Sequence, residues 1–188
     1  MKRDDLGRRA FVKAAGTVVG GMVLVPGCTS SVGKWRFLGD AEATVVEAIA
    51  EQIIPADQGA GARDANVVNY IDRQLASVFR EHQDTYRSGI AGVQQTSNIM
   101  FESDFESLEW PQQTGVLKTL ENGEAEGSIW ETVSAQSFFE LIRNHTMQGF
   151  YGSPRHGGNR GFVSFRMIGI DYPRIVGQNR YKVFPGKS

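Results

Sequence analysis

The chain has 188 residues, 40% hydrophobic and 22% charged. That is long enough for one domain with a real core and too apolar for a disordered chain. The net charge of −1 carries no basic excess, which argues against nucleic acid as a partner, because phosphate binding draws on clustered Lys and Arg. A single cysteine, Cys28, excludes an intrachain disulfide, a Cys-x-x-Cys-His haem attachment and any zinc site built on a cysteine pair.

Residues 1–27 read as an export signal. Gly7-Arg8-Arg9-Ala10-Phe11-Val12-Lys13 resembles a twin-arginine motif, with Arg8, Arg9, Phe11 and Lys13 in the defining places and Gly7 and Val12 as departures. Ala14 to Val25 is an apolar run diluted by Gly16, Gly20 and Gly21. As a helix it reaches only ~18 Å, short of a ~30 Å hydrocarbon core, which favours a signal over a membrane span. Val25-Pro26-Gly27-Cys28 resembles a lipobox, in which Cys28 would be acylated and become the mature N-terminus. Ordinary cleavage nearby, with Cys28 incidental, is the alternative. Residues 28–39 then read as a tether.

From Asp40, a plausible N-cap, Ala41 to Ile54 reads as a helix with Val45, Val46, Ile49 and Ile53 on one face, stopped by Pro55. Asp64 can cap a second helix in which Val67, Val68, Ile71, Leu75, Val78 and Phe79 repeat every three to four residues. A third spans Asp84 to Met100, with Tyr86, Ile90, Val93 and Met100 inward; Gly89 and Gly92 weaken it in isolation but permit close packing. Phe101, Phe105, Leu108 and Trp110 form a spaced apolar segment. Pro111 opens a short helix to Leu120, ended by Asn122-Gly123. A fifth, capped by Ser134 or starting near Ile129, runs to Gln148 with Phe138, Phe139, Ile142, Met147 and Phe150 at helical spacing. Phe162 to Ile170 reads as a short helix or strand, and an irregular arm follows. The fold class expected is mainly α, one helical domain of about five helices over residues 40–188.

The stretch after Gln148 changes character. Gly149, Gly152, Pro154, Gly157 and Gly158 oppose continued helix. Phe150 and Tyr151 thus lead into a glycine-rich loop carrying Arg155, His156, Asn159 and Arg160. Loops of this kind present polar groups from a fixed scaffold.

Phe138-Phe139, Thr146 to Tyr151, Pro154 and Gly157-Gly158-Asn159, with Ile53-Ile54-Pro55-Ala56-Asp57 upstream, resemble the gluconate 2-dehydrogenase subunit 3 family in kind and order. The resemblance covers most of the chain after residue 40. It implies a non-catalytic small subunit of a membrane-associated sugar or sugar-acid dehydrogenase. Its partner would be an FAD-holding flavoprotein of the glucose–methanol–choline family, often with a cytochrome c subunit carrying haem. It also implies that the twin-arginine peptide exports the folded pair to the periplasm; in that view the lipid read from the lipobox at Cys28 tethers it to a membrane. Phe150, Tyr151, Pro154, Arg155, His156, Gly157, Gly158, Asn159 and Arg160 would then pack on the partner.

Taken residue by residue, the sequence offers no catalytic, cofactor or metal site of its own. His82, His145 and His156 lack helical zinc spacing. His145 reads as a hydrogen-bonded core histidine and His82 as solvated. His156 lacks a nucleophile or carboxylate nearby in sequence. No Gly-x-Ser-x-Gly and no Gly-x-Gly-x-x-Gly is present. A free-standing periplasmic helical lipoprotein binding a small ligand is the alternative reading, and a hydrolase or isomerase centred on His156 a third.

Overall fold

The apolar periodicity of the sequence is realised as helix after helix. The computed structural model describes residues 34–170. Among them are six α-helices and no strand: α1 (Asp40–Ile53), α2 (Val67–Leu75), α3 (Gln83–Phe101), α4 (Trp110–Asn122), α5 (Ala135–Tyr151) and α6 (Val163–Met167). Short 3-10 turns at Arg80–His82, Phe105–Ser107, Ser128–Glu131, Pro154–His156 and Arg160–Phe162 join them. No described helix is long and apolar enough to cross a membrane. The export signal, Cys28 and the tail from 171 lie outside the described residues.

Helix α5 is the hub and packs against each of the other five α-helices. Val45, Val46 and Ile49 of α1, Val67, Ile71 and Leu75 of α2, Tyr86 and Val93 of α3 and Val116 and Leu120 of α4 are buried around its Phe138, Ile142 and Phe150. Each such side chain contributes about 1.5–3 kcal/mol on burial. Close approach is possible because the facing positions are small. A Cβ on Gly89 would overlap the Phe138 ring, and one on Gly92 would overlap the Trp130 indole. The two glycines that lower helix propensity in α3 therefore admit two aromatic rings that pack on it.

Two buried carboxylates fix segments that carry no regular structure. Asp72, 2% exposed, accepts backbone N–H bonds from Arg36, Phe37 and Leu38 at 2.9–3.1 Å. Glu51 accepts from the N–H of Ala56 at 3.1 Å and of Arg63 at 2.8 Å, closing the loop after α1. Orphan N–H groups and buried charge satisfy each other in both places. The tether reading therefore fails for its last residues. Leu38 is buried, and Trp35 and Phe37 pack against the core.

Other boundaries also shift for identifiable reasons. Gly39, not Asp40, caps α1, and its N–H donates to Glu42 at 2.7 Å. Asp64 does not cap α2. Its carboxylate accepts from Gly61 N, and Asn66 takes a left-handed conformation (φ 58°) before the helix starts at Val67. Because α2 ends at Leu75, Val78 leaves the apolar face and is 67% exposed. Met100, Trp110 and Met147 likewise face outward. The segment after Phe162 resolves as helix α6.

The packing separates two glycines that look alike in sequence. Gly89→Ala is expected to lower stability by about 1–3 kcal/mol through overlap with Phe138. Gly115→Ala in α4, where a Cβ meets nothing closer than Phe101 at 3.9 Å, is expected to raise it by up to about 1 kcal/mol. Urea denaturation of the two variants measures both signs.

Candidate functional site

The glycine-rich loop is built as follows. Helix α5 does not stop at Gly149 but continues to Tyr151, with Gly152 as its C-cap. Gly149 sits inside that helix in tight contact with α2, where a Cβ would lie 3.0 Å from Tyr70 and 3.1 Å from Val67. The loop then returns over the same spot. A Cβ on Gly158 would collide with the Gly149 carbonyl, so the two glycine backbones lie in contact. Gly157 has φ +106°, a conformation that L side chains rarely adopt. Its carbonyl accepts from Asn69 Nδ2 at 2.7 Å.

Asn159 holds the loop together. It is fully buried, in a left-handed conformation (φ 44°) that Asn tolerates better than most residues. Its Nδ2 donates to Gly152 O at 2.9 Å, and its Oδ1 accepts from Ser164 N at 3.0 Å. The end of α5 is thereby stitched to the first turn of α6. Arg160 adds a backbone bond to Ala65 O at 3.0 Å and a side-chain bond to Asp64 O at 3.2 Å.

These placements divide the residues expected to meet a partner. Phe150 is fully buried and stands edge-on to Tyr151 with ring centroids 4.9 Å apart. Phe150, Gly158 and Asn159 therefore serve the interior and offer no contact surface. Tyr151, 52% exposed, and Arg155, His156 and Arg160 face outward, while Pro154 and Gly157 are half-buried. The structure brings the loop beside residues that the sequence did not single out. A surface cleft of about 340 Å³ is lined by Arg36, Arg73, Gln74, Ser77, Val78 and His156. Asn69 and Arg73 stand one helical turn apart on α2, a spacing that was a usable signal. Arg36 gave none. A more apolar cleft of about 260 Å³ lies between α1, α4 and α5, lined by Ile53, Leu117, Phe139 and the Arg143–Glu121 pair.

His156 receives a hydrogen bond from Arg155 Nε on its Nε2 at 3.0 Å, and no carboxylate pairs with it among the described residues. General base catalysis at this ring would need a nucleophile or carboxylate within reach. Among the described residues no three His, Cys, Asp or Glu side chains converge as a metal-ligand set.

His145, 4% exposed, is part of the core. Its ring stacks on Phe79 at 4.6 Å and on Tyr86 at 5.7 Å, and its Nδ1 lies 2.9 Å from the Tyr86 hydroxyl. Burial raises the Tyr86 phenol well above its ordinary range, so the hydroxyl stays protonated, and the direction of its bond with Nδ1 follows the imidazole tautomer. Burial, and secondarily the neighbouring His82, lower the His145 pKa to about 4, with Glu81 opposing. His145 is therefore neutral at pH 7. Thr146 Oγ1 and Ser164 Oγ are buried without a hydrogen-bond partner.

Residues 40–171 match the family model described as Gluconate 2-dehydrogenase subunit 3. No curated protein and no solved structure matches the chain.

Two measurements test this account of the site. Asn159→Ala loses two buried hydrogen bonds and a side chain suited to φ > 0, at an expected cost of about 2–4 kcal/mol. Asn159→Gly keeps the conformation but not the bonds and should also destabilise. For His145 the folded state disfavours the proton that the unfolded chain takes up near pH 6.5. The histidine's contribution is thus complete above pH 6.5 and is lost as pH falls towards 4, by up to about 3 kcal/mol. Chemical denaturation across pH 4–7 should show that decline, and His145→Gln should flatten it.

Proposed function

The chain belongs to the gluconate 2-dehydrogenase subunit 3 family and so is a subunit of a dehydrogenase complex, and on that premise we propose that it escorts, stabilises and tethers the catalytic subunit. In this reading the partner is a flavoprotein of the glucose–methanol–choline family. It holds FAD and oxidises a sugar or sugar acid, and a cytochrome c subunit takes the electrons where one is present. The chain described here performs no redox step. Arg8 and Arg9 direct the folded pair through the twin-arginine route to the periplasm, and lipid on Cys28 holds it at the membrane.

Family membership is the observation that carries this reading. The outward-facing part of the glycine-rich loop supplies a rigid surface suited to it. Tyr151 at the end of α5 and Arg155, His156 and Arg160 on the loop pinned by Asn159 are exposed, and aromatic and Arg side chains are the types enriched in interface hot spots. A surface already held in one conformation loses little entropy on association.

Co-expression with the cognate flavoprotein tests the escort role. Replacing Arg8 and Arg9 with Lys is expected to reduce periplasmic flavin dehydrogenase activity to background while cytoplasmic activity persists. Undiminished periplasmic activity would overturn the escort role.

A further inference from the structure

The described domain is acidic, with eleven Lys and Arg against eighteen Asp and Glu, a net −7. Against that background one region is locally basic. Arg36 comes from the segment before α1, Arg73 from the last turn of α2 and His156 from the glycine-rich loop, and all three line one cleft. Arg155 adjoins it through its bond to the His156 ring. Arg63, Arg87 and Arg143 each pair with a glutamate; Arg36, Arg73 and Arg155 have no ion pair among the described residues. No Asp or Glu lines the cleft. The carboxylate next in sequence, Asp72, is buried and takes up the N–H groups of Arg36, Phe37 and Leu38.

Each of the three side chains comes from a segment held from behind. The Arg36 backbone is fixed to Asp72, and the Arg73 side chain packs against Gly157. His156 sits in the Pro154–His156 turn, next to Gly157, whose carbonyl is bonded to Asn69. Because His156 Nε2 accepts from Arg155, the hydrogen-bond pattern assigns the ring proton to Nδ1, leaving a donor for a ligand. Guanidinium forks match carboxylates in two-point geometry. Val78, exposed at the cleft, adds apolar area beside the charges.

We propose that this cleft receives a carboxylate-bearing segment of the catalytic subunit, an inference that rests on the subunit reading above. A protein segment suits it better than a free small anion. The cleft lies at the carbonyl end of α2, which disfavours an isolated negative charge. A segment offsets that by also covering Val78. Long-range attraction between the basic cleft and an acidic segment speeds encounter and fixes register more than it adds affinity.

The experiment uses the full chain and its cognate flavoprotein, with affinity measured from about 0.01 M to about 0.15 M salt, where the Debye length falls from roughly 30 Å to roughly 8 Å. The wild-type complex should weaken about tenfold over this range. Arg36→Gln with Arg73→Gln should bind about tenfold more weakly at low salt and lose most of the salt dependence. Arg73→Lys, which keeps the charge, should restore part of it, and helical circular dichroism and Tm should report folded chains throughout. Folded Gln variants that bind with wild-type affinity and salt dependence would overturn the cleft assignment while leaving the subunit reading intact. Failure of the wild-type chain to bind the flavoprotein would overturn the subunit reading itself. A thermal shift of the chain alone by gluconate or inorganic phosphate, abolished by Arg73→Gln, would assign the cleft to a free anion and overturn the proposal.

Discussion

Everything in this domain accommodates one helix that is enclosed by its neighbours. Helix α5 meets α1, α2, α3, α4 and α6, so its own large side chains and its neighbours' compete for the same space. The conflict is resolved by omission. Gly89 makes room for Phe138, and Gly149 lets Tyr70 approach closely. Protein interiors are packed as densely as organic crystals, so a ring inserted at one position must be matched by an absent side chain opposite. The strip of α5 that stays outside runs along its length: Gln136, Ser137, Glu140, Asn144, Met147, Gln148 and Tyr151. Gln148 is itself engaged, accepting from the Tyr70 hydroxyl at 2.9 Å.

The same constraint explains the glycine-rich loop. Gly157, Gly158 and Asn159 look in sequence like a flexible recognition loop. In the structure they form a clasp that lies backbone to backbone on α5 and takes its hydrogen bonds from α2, α6 and the end of α5 itself. The motif that carries the family resemblance is thus largely architectural. Whatever the loop presents, it presents through the residues between the fixed points: Tyr151, Arg155, His156 and Arg160.

Helix existence was legible in the sequence because apolar residues recur at helical spacing through most of α1 to α5. Ser134 as a cap, Pro111 in a first turn and Gly123 as a stop were legible for local reasons too. Features set by distant partners were not. Asp64 looked like a cap until Gly61 was seen to use its carboxylate, and Val78 looked buried until α2 ended early. Phe150 looked available because the glycine before it suggested a helix end, whereas α5 continues through Gly149, which lies close against Tyr70. The Arg36, Arg73 and His156 cleft joins three segments far apart in the chain, and no spacing rule reaches across such gaps. His145 was readable as a core histidine; its stacking between Phe79 and Tyr86 was not.

The Asp72 clasp on Arg36, Phe37 and Leu38 has a geometric consequence. It moves the point where the body begins from Asp40 back at least to Arg36, leaving at most eight residue steps from Cys28. Eight fully extended steps span at most about 28 Å. For a chain fastened at Cys28, the body would hang on a short leash, with its Arg36 end held within that distance of the anchor. Lengthening or shortening that leash would change the reach without touching the fold.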